Sequence, residues 1–388
     1  MFADRTNWKL DPNRLSEALA ERRRIHQPII DLTASNPTTC GFQYHAGATL
    51  RALSNPNALV YDPDPRGLAS ARRAVVDYYA SRETRIGIDD IILTTSTSEA
   101  YSFVFRALCN PGDEILVPEP SYPLFAFLAG IQDVKIVPYP LLYDHGWQID
   151  FHTLENALTV RTRAVIVVHP NNPTGHFTKA SEITRLNQIC ANRNIAIVAD
   201  EVFLDFALDE TVPASFAANA AALTFTMSGI SKICGLPQMK AAWLIASGPQ
   251  QLKGPALDRL EVIADTYLSM NAPVQYALPA FLDRRHEFQS QVTARVRMNL
   301  AELDRQLELQ TACARLATEA GWYAVLRIPA TRSDEEFALQ LLESKGVYAH
   351  PGHFYDFPGD GFLVVSLITP REDFAAGIEL LFSMFVER

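Results

Sequence analysis

The sequence is short of the features that mark membrane, secreted and nucleic-acid-binding proteins. No apolar run approaches the length that crosses a bilayer, and the first residues lack the apolar stretch of a signal peptide. We therefore expect a cytoplasmic protein. Acidic residues outnumber basic ones, 44 to 34, and a net charge of -10 would repel a phosphate backbone. Nucleic acid is accordingly not expected as a partner.

Cysteine is scarce and unpatterned. The five cysteines form neither a Cys-x-x-Cys pair nor a cluster with histidine. We expect reduced thiols, without a disulfide framework or a metal site. Low-complexity and Pro/Gly-rich tracts are also missing, so we expect no disordered linker.

The chain is long enough for two domains that share a cleft. It has 388 residues, of which 48% are hydrophobic. Short apolar runs alternate with segments of helical length in the middle of the chain; the runs are Ile91 to Thr95, Glu114 to Pro118, Val134 to Pro138, Ala164 to His169, Ile195 to Ala199, Leu223 to Met227 and Ala241 to Ala246. Several runs are apolar throughout, which is typical of strands covered on both faces in a mostly parallel α/β sheet.

The character of the sequence changes after about residue 271. A charged, helix-like stretch covers about 273–318, and two strand-like and two helix-like segments follow it. We expect a large domain over 45–275. The segments 1–44 and 276–388 would together form a smaller α+β domain.

Polar residues at four strand ends are the candidates for chemistry, because ligands of open α/β sheets bind beyond the carboxyl ends of the strands. Ser96, Thr97 and Ser98 follow the first strand and precede an apolar helix. Hydroxyls and free N–H groups at a helix N-terminus favour a phosphate. The alternative is that Ser96 and Glu99 form only a capping box.

The three other strand ends each carry one candidate. Asn172 lies in a Pro-rich turn that by itself is more typical of a plain turn. Asp200 ends an apolar strand, so its carboxylate needs a partner, either a helix cap, a salt bridge or a protonated ring nitrogen. Lys232 lies in a Gly/Ser-rich turn, where a desolvated amine can lose its proton and attack a carbonyl. A solvated lysine is the alternative.

Taken together, these motifs resemble the class I/II aminotransferases, fold type I PLP-dependent enzymes of the aspartate aminotransferase-like superfamily. The residues that carry the resemblance are, in chain order, Tyr61, Pro63 and Gly67; Ser96 to Ser98; Pro120 and Tyr122; Asn172 to Gly175; Asp200 and Glu201; and Ser231 to Gly235. Each motif is weak alone, whereas their joint order over about 32–369 is specific. The resemblance implies an α/β fold, with a mostly parallel seven-stranded sheet in the large domain and a smaller α+β domain.

The resemblance also implies roles toward pyridoxal 5′-phosphate (PLP). Lys232 would form a Schiff base with PLP and then act as general base and acid. Asp200 would pair with the pyridine nitrogen, which keeps the ring a good electron sink. Asn172 would donate to the 3′-oxygen, and Tyr122 would stack on the ring.

The phosphate and the subunit partner are implied in the same way. The phosphate would be held by Ser96, Thr97, Ser98 and Lys240. Tyr61 would reach the site from the partner subunit of a homodimer. For Tyr61 and Tyr122, an ordinary role as packed aromatics is the alternative.

Departures from the family pattern concern mainly the substrate. Phe203 replaces a Tyr whose hydroxyl helps to bind the 3′-oxygen, which should raise the pKa of the Schiff base. Lys240 replaces an Arg, so a point charge stands where a bidentate fork is common. Val364 aligns with the Arg that holds the substrate carboxylate in the family. Either another residue binds that group or the substrate lacks it.

Two residues are candidates for the altered substrate pocket. Arg327 shares a strand face with Tyr323 under alternation, and an exposed surface arginine is the alternative. Ser35 falls where the family often has a substrate-contacting Gly. With Asn172, these residues form the predicted substrate site.

The predicted activity is transfer of an amino group between an amino acid and a 2-oxo acid through the Lys232 Schiff base. One alternative is a PLP-dependent lyase, such as a C–S β-elimination enzyme, because the same cofactor site supports that chemistry. The other is a non-catalytic protein that binds PLP as a sensor.

Overall fold

A large mixed sheet runs through the structure, a computed structural model that describes residues 1–8, 11–209 and 213–385. The strands of the whole structure are β1 (Ile30–Asp31), β2 (Ile91–Thr94), β3 (Glu114–Glu119), β4 (Lys135–Tyr143), β5 (Trp147–Ile149), β6 (Thr162–Val168), β7 (Ala196–Asp200), β8 (Thr224–Gly229), β9 (Ala242–Ser247), β10 (Ala314–Arg315), β11 (Tyr323–Arg327), β12 (Val347–Tyr348), β13 (His350–Pro351) and β14 (Phe362–Ser366). The large sheet has the order β2-β9-β8-β7-β6-β3-β4-β5.

The sheet is mostly parallel, as predicted. β9 is antiparallel to β2 and β8, β5 is antiparallel to β4, and the other neighbouring pairs are parallel. All seven predicted strands are present. The three-residue β5 adds an eighth at the edge, too short to give a signal in the sequence.

Helices cover both faces of this sheet. They are α1 (Arg14–Arg24), α2 (Ala46–Ala52), α3 (Ala69–Ala80), α4 (Thr97–Leu108), α5 (Phe125–Gly130), α6 (Phe151–Ala157), α7 (Ala180–Arg193), α8 (Ile230–Ile233), α9 (Gln250–Tyr267), α10 (Ala272–Asp283), α11 (Arg285–Leu307), α12 (Asp334–Lys345) and α13 (Arg371–Ser383). Among the residues described, each helix is too short or too polar to cross a membrane.

Strand composition explains why both faces are covered. In β6, Ile166 and Val168 point into one apolar cluster with α4 and α9, whereas Val165 and Val167 point into the cluster on the opposite side. Successive side chains of a strand alternate between faces, so a strand without polar residues must be buried on both. The continuous apolar runs of the sequence therefore correspond to the central strands.

A smaller sheet contains the C-terminal strands in the order β10-β11-β14-β13. β1, from the N-terminal segment, pairs in parallel with β12, and α1 packs against α12. This pairing joins the N-terminal segment to the C-terminal elements. We propose, in agreement with it, the division into a domain of residues 45–275 and a domain of residues 1–44 and 276–388.

The long helix-like stretch predicted for about 273–318 ends earlier than expected. α10 and α11 are separated at Arg284, and α11 ends at Leu307. The side chain of Gln310 then accepts a hydrogen bond from the backbone N–H of Cys313, at 2.7 Å, which closes a turn. The chain continues as β10, paired with β11. Tertiary pairing here overrides a helix-like composition.

Candidate active site

Three neighbouring parallel strands bring the main candidates together. Asp200 is the last residue of β7, and Asn172 and Lys232 follow the adjacent strands β6 and β8. Because parallel strands end at the same edge of a sheet, the three side chains meet in one cavity of about 250 Å³. Its lining residues are Ser35, Ser96, Thr97, Ser98, Tyr122, Leu124, Phe125, Val168, Asn172, Asp200, Val202, Phe203, Gly229, Ser231, Lys232, Ala242 and Tyr323.

The amine of Lys232 lies in aromatic surroundings. Its Nζ is 4.9 Å from the ring centre of Trp322 and 5.5 Å from that of Phe203. Burial disfavours the charged form and lowers the pKa of Lys232 to about 8, against an opposing effect of the Asp200 carboxylate. A sizeable fraction of this amine is therefore neutral near physiological pH. A neutral amine is the form that attacks a carbonyl carbon.

The Asp200 carboxylate is buried and bonded by neutral donors. Tyr101 donates its hydroxyl to Oδ2 at 3.1 Å, and the N–H of Val202 donates to Oδ1 at 3.1 Å. Burial raises the pKa of Asp200 to about 6, although these hydrogen bonds and Lys232 lower it. A carboxylate held in this way is suited to a cationic partner inside the cavity.

Asn172 leaves a polar atom unpaired at the cavity wall. Its Oδ1 is buried and has no hydrogen-bond partner within the protein. Buried amide groups are nearly always paired, so this one is suited to a polar ligand. Three residues later, Gly175 has a φ of 71°, and a Cβ there would lie 2.3 Å from the carbonyl oxygen of Ala320. Only glycine fits this turn of the motif.

The first turn of α4 opens onto the cavity. The helix begins at Thr97, with Ser96 as the N-cap whose Oγ accepts from the N–H of Glu99 at 3.2 Å. Ser96 thus acts as a cap, but the capping box considered from the sequence is not formed, because the Glu99 carboxylate accepts from the N–H of Thr95 instead. Thr97 and Ser98 also line the cavity and belong to the first turn, whose N–H groups have no intrahelical acceptor. Hydroxyls and N–H groups in this arrangement favour an anion.

The opposite wall is formed by Ser35, Tyr122 and Tyr323. Burial raises the pKa of the Tyr323 phenol above its ordinary value, and the nearby Ser35 hydroxyl opposes this effect. Tyr122 is 45% exposed, so the alternative role considered from the sequence, an ordinary packed aromatic, does not apply to it. This wall offers hydroxyl groups and no formal charge.

Three predicted site residues lie outside the lining of this cavity. Lys240 is exposed, two residues before Ala242, which does line it. Tyr61 is 78% exposed and borders a different cavity, of about 310 Å³. Arg327 is exposed at the far end of β11, with its guanidinium 4.3 Å from the ring centre of Phe362. Alternation does place Arg327 on the face of Tyr323, but three residues of strand separate the two.

Two neighbours of the site were missed from the sequence. Tyr101 hydrogen-bonds to Asp200, and Trp322 packs against the amine of Lys232. Tyr101 stands four residues after Thr97, so helical periodicity could have placed it on the cavity side of α4. Trp322 comes from a segment that is distant in sequence, and no local pattern indicates its contact with Lys232.

Comparison with known proteins agrees with this geometry. The family model described as aminotransferase class I and II matches residues 27–373. The glutamate-pyruvate aminotransferase AlaA of Escherichia coli K12 is 29% identical over 383 residues, which cover 95% of this chain and 92% of AlaA. The alanine aminotransferase of Mycobacterium tuberculosis H37Rv is 28% identical over 92% of this chain and 86% of its own length.

Solved structures share the fold. An alanine aminotransferase from Pyrococcus furiosus superposes with a TM-score of 0.90 at 22% identity, covering 100% of both chains. An aminotransferase from Escherichia coli superposes with a TM-score of 0.88 at 24% identity, covering 100% of this chain and 98% of that one. The chain belongs to the class I and II aminotransferase family.

The family assignment confirms the predicted α/β fold and the predicted class of enzyme. This aminotransferase has the fold type I architecture, with a large mixed sheet and a smaller one. Members of its family use PLP. The groups in the cavity fit that cofactor: an amine with a lowered pKa, a buried carboxylate, an unpaired amide oxygen and the open first turn of α4.

Proposed function

We propose that this aminotransferase binds PLP through Lys232 and moves an amino group between an amino acid and a 2-oxo acid. The observation that supports it best is the meeting of Lys232, Asp200 and Asn172 in one cavity. The names of the related proteins, glutamate-pyruvate and alanine aminotransferases, support the same class of substrate. Bound PLP supplies an electron sink that makes the hydrogen on the substrate's α-carbon acidic.

Lys232 has two tasks in this proposal. Its Nζ holds the cofactor covalently in the resting enzyme, which requires the neutral amine that burial favours. Once the substrate amine has displaced it, the freed Nζ would take the proton from the substrate's α-carbon and deliver it to the cofactor carbon to which the lysine had been attached. The aromatic rings of Phe203 and Trp322 exclude water from that amine.

The other residues hold the cofactor in place. Asp200, oriented by Tyr101, pairs with the protonated ring nitrogen. The amide of Asn172 bonds to the 3′-oxygen, and Tyr122 covers one face of the ring. The first turn of α4 holds the phosphate through Ser96, Thr97 and Ser98. Lys240 stands two residues before Ala242, which lines the cavity, and its exposed amine adds a positive charge there.

The test combines a spectrum with a substrate panel. The PLP-loaded protein should absorb near the visible range, and Lys232→Ala should lose this band while its thermal unfolding stays cooperative. Amino donors should convert the wild-type cofactor to its amine form, and a 2-oxo acid should restore it. A band that persists in Lys232→Ala would exclude Lys232 as the attachment site. Ammonia and oxo-acid release without an acceptor would instead indicate the lyase.

We also propose that two copies of the chain form the working enzyme. Leu59, Val60 and Tyr61 are 92%, 65% and 78% exposed, and they border the cavity of about 310 Å³. Adjacent exposed apolar side chains at a cavity are typical of a surface that another protein covers. In a homodimer, Tyr61 would reach the PLP phosphate of the partner subunit.

A charge placed on this surface should separate the copies. Val60→Asp should shift the sedimentation coefficient from dimer to monomer and weaken PLP binding, because Tyr61 no longer reaches the other site. Val160→Asp is the matched control, since Val160 is 93% exposed elsewhere on the molecule. Equal sedimentation of both variants as dimers would contradict this interface.

A further inference from the structure

The wall of the cavity opposite the sheet is unusual in its charge. It is formed by Ser35, which follows β1, and by Tyr323 of β11, with Tyr122 beside them. Among the described residues that line the cavity, Lys232 is the only basic one and Asp200 the only acidic one. Both are engaged with the cofactor in the proposed function. The wall that faces a bound substrate therefore offers neutral hydroxyls alone.

Apart from Arg327 at the far end of β11, no cation lies on the face of Tyr323 among the described residues of β11, β13 and β14. Ser366 pairs with Tyr323 across the ladder, and Val364 pairs with both Val325 and His350. Val364 is fully buried. Burial lowers the pKa of His350 to about 4, so this imidazole is neutral at physiological pH.

Two arginines that contact the small sheet or the segments next to it, Arg327 and Arg295, are engaged elsewhere. Arg327 is exposed and lies over the ring of Phe362. Arg295 donates to the carbonyl oxygens of Cys40, Ile368 and Thr369, at 3.2 to 3.3 Å. A substrate carboxylate placed against Tyr323 would thus be desolvated without a compensating charge, which is unfavourable.

The hydroxyl pair has the hydrogen-bonding capacity that a neutral polar group needs. Ser35 and Tyr323 both line the cavity, and each hydroxyl has one proton to donate and two lone pairs that accept. A carboxamide supplies both an acceptor and a donor, so it can satisfy both hydroxyls. An ionised carboxylate only accepts, so it leaves one lone-pair site facing a negative charge.

We propose that Tyr323 and Ser35 anchor the substrate and select amino-acid derivatives whose carboxyl group is neutral, above all carboxamides, over free amino acids. The inference rests on the amino-transfer chemistry of the proposed function and replaces the free amino acid by its carboxamide as the preferred donor. Amino transfer would then run between the amide of an amino acid and the corresponding 2-oxo amide. Tyr323 is a specificity-determining residue in this assignment.

The first experiment compares matched donors on the PLP-loaded protein. L-alanine, L-leucine and L-phenylalanine are each paired with their carboxamides, and the conversion of the cofactor to its amine form is followed by absorbance. We expect each amide to react with a kcat/KM at least about tenfold above that of its acid, the effect of one well-formed hydrogen bond. Acids that react as well as or better than their amides would overturn the inference and leave the aminotransferase standing.

Failure of the proposed function has a different signature. If no acid and no amide converts the cofactor although the absorbance band is present, the aminotransferase itself is contradicted, and the inference falls with it. A preference for amides can also be measured as binding alone. The compounds 3-phenylpropanamide and 3-phenylpropanoate lack an amino group, so they can bind but cannot react. Calorimetry should show tighter binding of the amide by about the same factor of ten. Equal affinities would count against the anchor.

Variants test the residues themselves. Tyr323→Phe should raise KM for the amides about tenfold, with a smaller change in kcat, and should remove the preference over the acids. Tyr355→Phe is the matched control, because the Tyr355 hydroxyl is buried, lies 3.1 Å from Nδ1 of His350 and does not line the cavity. An unchanged amide-to-acid ratio in Tyr323→Phe would overturn the assignment.

The inverse variant supplies a charge instead of removing a hydroxyl. Val364→Arg places a guanidinium on the sheet face of Tyr323, two residues from Ser366. It should favour the acids, reversing the ratio measured for the wild type. Since Val364 is buried, thermal unfolding must show that this variant folds. If it does not fold, Tyr323→Phe decides.

Discussion

The two walls of the cavity differ in how charge is used. The wall from the large sheet carries the amine of Lys232, the carboxylate of Asp200 and the open first turn of α4. The wall from the N-terminal segment and the small sheet carries the hydroxyls of Ser35 and Tyr323. The first wall is built for a charged cofactor, whereas the second suits a neutral group. Cofactor chemistry and substrate choice can therefore change independently in this fold.

Removal of the Asp200 charge should have the largest effect on the cofactor wall. Asp200→Asn should lower kcat by about 10²- to 10³-fold, because the ring nitrogen loses the charge that stabilises it. Steady-state rates with the best amino donor measure the effect. The adjacent Glu201 is a matched control: it is also a buried carboxylate, bonded by Ser215 and by the N–H of Phe216, outside the cavity lining. Similar losses in Asp200→Asn and Glu201→Gln would mean that general packing, rather than charge at the cofactor, sets the rate.

The cost of burying the charge of Lys232 can be measured through the free energy of unfolding. Its pKa is lowered from 10.5 to about 8 by burial, so the unfolded chain binds more protons between these values and stability rises with pH across that window. Lys232→Met should therefore stabilise the PLP-free protein by roughly 3 kcal/mol below pH 8. Urea unfolding at several pH values should show this gain fading toward pH 10.5. A gain that is constant with pH would indicate apolar packing instead.

Asn172 tests the polar part of the cofactor wall. Asn172→Ala should weaken PLP binding about tenfold, since one hydrogen bond to the 3′-oxygen is lost. The dissociation constant of PLP, measured by absorbance or calorimetry, reports the effect. An unchanged constant would show that the Asn172 amide does not donate to the 3′-oxygen.

Phe203 offers the smallest and most specific change. Phe203→Tyr adds a hydroxyl at the cavity, close to Lys232. It should lower the pKa of the Schiff base between the cofactor and Lys232 by about one unit. A spectrophotometric titration measures it. Phe206→Tyr serves as the control, because Phe206 also packs on Trp322, at 5.1 Å, but does not line the cavity. An equal shift in both variants would remove the assignment.

The first wall was largely predictable from the sequence. Continuous apolar runs predict a parallel sheet, whose strands end at one edge. Asn172, Asp200 and Lys232 follow or end such strands, so we expect them to lie close together. Their motifs also have a fixed order, which gave the family. Strand β5 was missed because three residues show no periodicity. The end of α11 was misplaced because composition alone does not indicate the turn at Gln310.

The second wall was not predictable in the same way. Tyr323 and its neighbour Trp322 come from a segment far from Ser35 in the chain. The family resemblance indicated Ser35, whereas nothing local to Trp322 or Tyr323 indicates a ligand. Arg327 lies on the same face of β11 as Tyr323, but its distance along the strand keeps it from the cavity. Strand periodicity determines which face a side chain occupies, but it does not determine which part of that face borders a site.

The attachment of PLP to Lys232 is the claim on which the rest depends, and it can be measured directly. The PLP-loaded protein is reduced with borohydride, digested and examined by mass spectrometry for the peptide that carries the cofactor. We predict that the added mass lies on Lys232 and on no other lysine. Labelling at Lys240 or Lys253 in its place, or no labelling of a protein that contains PLP, would contradict the account.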